Sequence, residues 1–122
     1  QEFVRAYLSR EHRDNRATGC TLAALCADAA RKDEEVRAIF AAGIETQLAV
    51  LRGGGNLSPE AVEKARATHL ATMAQALGAI VMSRACPDGS SLADEILEAC
   101  QVAILKSVTS SETGADKLQH EN

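Results

Sequence analysis

The sequence predicts an all-α protein, a helical bundle of about five helices. The last two are expected to pair with those of a second copy as an intersubunit four-helix bundle. Three observations carry this. No segment alternates with the two-residue period of a strand, while apolar residues recur at helical spacing. The composition is rich in Ala and poor in Pro, and aromatics are 2%, which favours helices packed at close range. Residues 70–82 carry no charged side chain and are apolar nearly all the way round, so their helix needs cover on two sides.

Residues 1–8 read as the end of a helix, with Phe3 and Tyr7, Val4 and Leu8 paired at helical spacing. The chain starts at Gln1 in the middle of this pattern, so it is expected to be a piece of a longer protein. Residues 9–19 are polar and charged and predict a surface loop. A short helix is expected over 21–31, with Leu22, Leu25, Cys26 and Ala29 on one face. Asp33 is placed to cap the next helix, and Glu34 and Glu35 suit its positive N-terminal end. Its stripe of Val36, Ile39, Phe40, Gly43, Ile44, Val50 and Leu51 runs until Gly53-Gly54-Gly55 stops it near Arg52.

Ser58 and Pro59 give a strong start signal for a long helix, expected to reach Ala85, ahead of Pro87. It resolves into two stripes. Val62, Ala65, His69, Met73, Leu77 and Ile80 are assigned to the protein's own core. Nearly opposite lie Ala67, Ala71, Ala74, Gly78 and Met82, small enough for another helix to come close. Gly78 in the middle of a helix costs roughly 1 kcal/mol against Ala unless close packing offsets it. Ser91 with Asp94 caps a last helix to about Ser107. Of its two stripes, Leu97, Gln101, Ile104 and Val108 are assigned to the dimer face, and Leu92, Ile96, Ala99 and Ala103 make the other. One domain over 1–108 is expected, followed by a polar, mobile tail over 109–122. The competing reading of the two-faced helices is a monomer whose missing N-terminal part covers them.

Composition excludes several classes. The net charge is −4, so this piece gains no counterion-release affinity for nucleic acid. No apolar run is long enough to span a bilayer, and no signal peptide is visible, so a cytoplasmic protein with no membrane partner is expected. Cys20, Cys26, Cys86 and Cys100 form no C-x-x-C pair and read as reduced thiols, a Cys20–Cys26 redox pair being the lesser alternative. His12, His69 and His120 lack metal-ligand spacing, and no metal or cofactor is expected. Gly53-Gly54-Gly55 lacks the strand and lysine of a phosphate loop. The triplet His12-Arg13-Asp14 imitates a catalytic motif without its companions. Gln47 and His69 are polar residues within apolar stripes. With Tyr7, Leu25, Cys26, Phe40, Ile44, Met73 and Leu77 they are the candidate lining of a mostly apolar pocket with a few polar anchors.

The stretch Tyr7-Leu8-Ser9-Arg10-Glu11-His12-Arg13-Asp14-Asn15, followed by Gly19-Cys20-Thr21-Leu22-Ala23-Ala24-Leu25, resembles the C-terminal domain of TetR/AcrR-family regulators. The order of a medium, a long and a final helix is similar too. The resemblance covers roughly residues 1–107. It implies a one-component transcription regulator, usually a repressor. The family's DNA-binding helix-turn-helix would lie before Gln1. This domain would form a homodimer through its last two helices and bind a small organic effector among the others, which releases the operator. The competing classes are a structural helical oligomerisation module without ligand and a cysteine-dependent helical enzyme.

Overall fold

The computed structural model describes residues 1–16 and 20–119, with side chains through Ser110. Gly19 of the resemblance motif and the last three residues of the expected tail, His120 among them, lie outside the described residues. The protein is an all-α bundle of six helices: α1 (Glu2–Tyr7), α2 (Arg10–Asp14), α3 (Thr21–Ala29), α4 (Glu34–Arg52), α5 (Pro59–Ala85) and α6 (Ser91–Gln119). No strand occurs among the described residues.

Local chemistry sets the helix ends. The Asp33 carboxylate accepts from the Val36 amide at 3.1 Å, and the Ser58 hydroxyl from the Ala61 amide at 3.2 Å, with Pro59 in the first turn. Gly53 ends α4 at φ 65°, a backbone region open to glycine. Two expected boundaries differ. Residues 10–14 are helical, because Ser9 caps them: its hydroxyl accepts from the His12 amide at 3.1 Å. The last helix continues past Ser107 to Gln119. No proline interrupts it, and Thr109 and Ser110 turn their hydroxyls back onto the carbonyls of Leu105 and Lys106 at 2.9 Å each.

The core is small. Leu8, Ala79, Ile80, Leu97 and Ile104 form its buried centre, with Val4, Tyr7, Ala76, Ile96, Cys100 and Val108 partly buried against it. α5 packs chiefly on α6, and on its other flank against α3 and α4. Near their shared turn α5 and α6 come close: Ala93 and Ser83 are both fully buried, and the Ser83 hydroxyl donates to the Ala93 carbonyl at 2.8 Å. On α4 the inward residues are Val36, Phe40, Ile44 and Leu48. Leu48 is buried while Ile39, Val50 and Leu51 are exposed, so the stripe expected from the sequence is turned by about one residue.

Much apolar surface stays open. The open residues include Leu70, Val81 and Met82 on α5 and Leu92 and Val102 on α6, with Met82 59% and Leu92 51% exposed.

Candidate functional site

The motif beginning at Tyr7 builds a polar latch between α2 and the α5–α6 turn. At its centre Arg13 is fully buried. Its Nε donates to the Ser83 hydroxyl at 2.9 Å and its carbonyl at 3.2 Å. Its Nη2 donates to the carbonyls of Ser83 and Cys86 at 2.8 and 2.9 Å. Its Nη1 donates to the carboxylates of Asp14 and Asp88 at 2.7 and 2.9 Å. A buried charge is tolerable only when paired and fully hydrogen-bonded, and the guanidinium meets that condition. It also places a positive charge at the negative C-terminal end of α5. Arg84 returns the arrangement: its Nε and Nη2 donate to the carbonyls of Arg13 and His12 at 2.9 and 3.0 Å, at the end of α2. Arg10 adds a surface strap to Asp14 at 3.0 Å, to Asp94 at 3.1 Å and to the Asp88 carbonyl.

The electrostatics follow from these pairs. Hydrogen bonds from Arg13, then Arg10, hold the Asp14 carboxyl below the ordinary carboxylate range. Arg13 does the same for Asp88. Burial pushes the Tyr7 phenol above its ordinary value, and its interaction with the Cys20 thiol adds to that. His12 lies against Tyr7 with ring centroids 4.5 Å apart. The Cys20 amide donates to His12 Nε2 at 3.2 Å, which leaves the proton on Nδ1 to donate to the Tyr7 carbonyl at 2.7 Å. Both ring nitrogens of His12 are therefore engaged, and the triplet His12-Arg13-Asp14 has no free base. The latch joins α2 to the α5–α6 turn. The segment 9–19, expected as loop, hid this role behind its charge density; the signal available was Ser9 three residues before His12, the spacing of a cap.

A cleft of about 160 Å³ opens between α4 and α5. Leu48, Ala49, Val62 and Ala65 make its apolar walls, and Glu45, Arg52, Arg66 and His69 bring polar groups to it. Arg66 and Glu45 form a two-pronged ion pair at 2.9 and 2.6 Å, which lowers the Glu45 carboxyl. Of the candidate pocket residues, His69 lines this cleft. Gln47 does not: it is exposed on α4, because its neighbour Leu48 takes the inward position. Leu25 is likewise 46% exposed. Tyr7 belongs to the latch and the core edge. Cys26, Phe40, Ile44, Met73 and Leu77 are half-buried along the inner sides of α3, α4 and α5. The other seven cleft residues, Glu45, Leu48, Ala49, Arg52, Val62, Ala65 and Arg66, are ones that the pocket assignment from sequence missed. Val62 and Ala65 stood in the same stripe as His69. The four cysteines are free and half-buried. Among the described residues no cluster of His, Cys, Asp or Glu could hold a metal ion, and no helix is long and apolar enough to cross a membrane.

On the expected dimer face, Ala67, Ala71, Ala74 and Met82 are exposed on α5, and Gly78 is half-buried with open space beyond it. Ala67 and Ala71 border an open groove of about 350 Å³ that also touches Ile104. The α6 assignment needs correction. Leu97 and Ile104 are 4% and 1% exposed and lie in the protomer's own core, with Gln101 half-buried beside them. The open side of α6 carries Leu92, Ala99, Val102 and Ala103 instead. Leu97, Gln101, Ile104 and Val108 turn to the protomer's own core, and Ile96 of the other stripe joins them there, because both stripes are apolar and periodicity does not say which one meets α5.

The fold and its latch define the class as an all-α bundle with an uncovered two-helix face. Comparison with family models, with curated proteins and with solved structures finds no match.

Proposed function

We propose that this chain is the ligand-sensing and dimerising domain of a one-component transcription regulator, a repressor released from DNA by a small organic effector. The carrying observation is the uncovered apolar side of α5 and α6. Leu70, Val81 and Met82 on α5 and Leu92 and Val102 on α6 are all exposed. A four-helix arrangement of α5 and α6 with those of a second copy covers this side, with Val81, Met82, Leu92 and Val102 at the contact. The resemblance of the Tyr7–Asn15 stretch supports the same class, and the cleft between α4 and α5 supplies a place for an effector. Contact with DNA would come through a domain outside this sequence. The reading is non-enzymatic.

The first test is sedimentation of the dilute chain. A dimer is expected, and Met82→Lys should shift it to single protomers, since the substitution places a charge in an apolar contact. Single protomers of the unaltered full-length protein would sink the reading. The second test is operator affinity of the full-length protein across a broad set of small organic molecules. A ligand that prefers one dimer arrangement must change that affinity. A stable dimer with no ligand effect would favour a structural oligomerisation module, the reading supported by the small volume of the cleft.

A further inference from the structure

We propose that the cleft between α4 and α5 binds a small organic carboxylate, its ring or branched carbon body against Leu48, Val62 and Ala65 and its charge between Arg52 and His69. This rests on the reading of the chain as a ligand sensor and names the chemical class of the effector.

Three observations support it. The cleft combines an apolar wall with polar groups on one rim, the composition expected of a small-molecule site. Its volume, about 160 Å³, is close to the roughly 150 Å³ cavity that accepts benzene. The sign of its charge is set locally. Glu45 is neutralised by Arg66, so the remaining full charge on the cleft is Arg52. Among the described residues Arg52 forms no ion pair or hydrogen bond, and the half-buried His69 ring makes no hydrogen bond either. Unengaged donors beside an apolar wall, in a chain of net charge −4, make a local positive site. A neutral apolar molecule would leave both donors unused. A cation would face Arg52. A carboxylate answers both, and a guanidinium–carboxylate contact is among the stronger hydrogen-bonded pairs.

The test uses benzoate and its neutral isostere benzamide on the full chain, with amide and imidazole NMR shifts as readout. Benzoate should give saturable changes at Leu48, Ala65 and His69, and benzamide should bind at least about tenfold more weakly. Arg52→Gln and His69→Gln should each weaken benzoate by roughly tenfold, Arg52→Lys by less, and Arg37→Gln on the same helix should leave it unchanged. Equal binding of the two probes, or benzoate shifts that avoid the cleft, overturns the proposal. Benzamide binding in the cleft as tightly as benzoate would overturn the carboxylate assignment and leave the sensor reading standing. Carboxylate-selective binding in the cleft without any effect on operator affinity of the full-length protein would do the reverse.

Discussion

Replacing Arg13 by Met keeps most of the buried stem and removes the guanidinium fork. Two of the fork's partners, Asp14 and Asp88, have side chains 48% and 73% exposed, so water takes over their solvation and their loss costs little. The carbonyls of Ser83 and Cys86 are different: they lose charged donors at 2.8 and 2.9 Å at a helix end packed beneath α2. A buried acceptor left without a donor costs about 1–3 kcal/mol. The Ser83 carbonyl keeps the Cys86 amide as a donor at 3.1 Å and Cys86 is half-buried, which puts the sum at about 2 kcal/mol. For a chain of this length that lowers the Tm by roughly 8 °C. Arg13→Lys should recover less than half of the loss, because an ammonium lacks the planar fork that reaches both carbonyls. Thermal and urea unfolding of the variants measure this. Should Arg13→Met cost under about 1 kcal/mol, or Asp88→Asn cost as much as Arg13→Met, the latch is not centred on the buried carbonyls and the reasoning fails.

Other outcomes follow from the same geometry. Asp14 is held low by Arg13 and Arg10 and Asp88 by Arg13 and Arg16, so the stability they add is present above the ordinary carboxylate value, about 4, and is lost as pH falls below it. Unfolding followed down the acid limb should show that loss, and the double variant Asp14→Asn, Asp88→Asn should flatten it. Tyr7 is the single tyrosine and the chain has no tryptophan. Its phenolate absorbance therefore reports one group, and it should emerge only above the ordinary tyrosine value of about 10. Because the folded value is raised, the associated stability is present below about pH 10 and is lost above it. Nothing lies within 4 Å of a Cβ built on Gly78. Gly78→Ala should then stabilise the protomer by about 1 kcal/mol, while analytical ultracentrifugation should show weaker self-association if a second helix packs there.

The helix ends were the most legible part of the sequence. Asp33, Ser58 with Pro59, and Gly53 act within a few residues of their own backbone, so their chemistry can be read without knowing the fold. The facing of the helices was less legible. Gln47 and Leu48 differ by one position, and an apolar run that continues through Ile39, Val50 and Leu51 hides which side is inward. Leu97 and Ile104 are chemically no different from Leu92 and Val102; only the close approach at Ser83 and Ala93 decides which of them α5 covers. The latch was least legible of all. Arg13 and Ser83 are separated by 70 positions in the chain, and a polar run read alone looks like a solvated surface. The cleft was reached through His69 but not through Arg52, because a charged residue beside a glycine stop carries no sign of a concave surface above it.

The exchange of arginines between α2 and α5 has a mechanical outcome. Each helix closes the other's final turn, so neither end can tilt while the other stays put without several strong contacts failing together. Moving residues 9–14 away from the hairpin of α5 and α6 therefore breaks the contacts of both arginines at once.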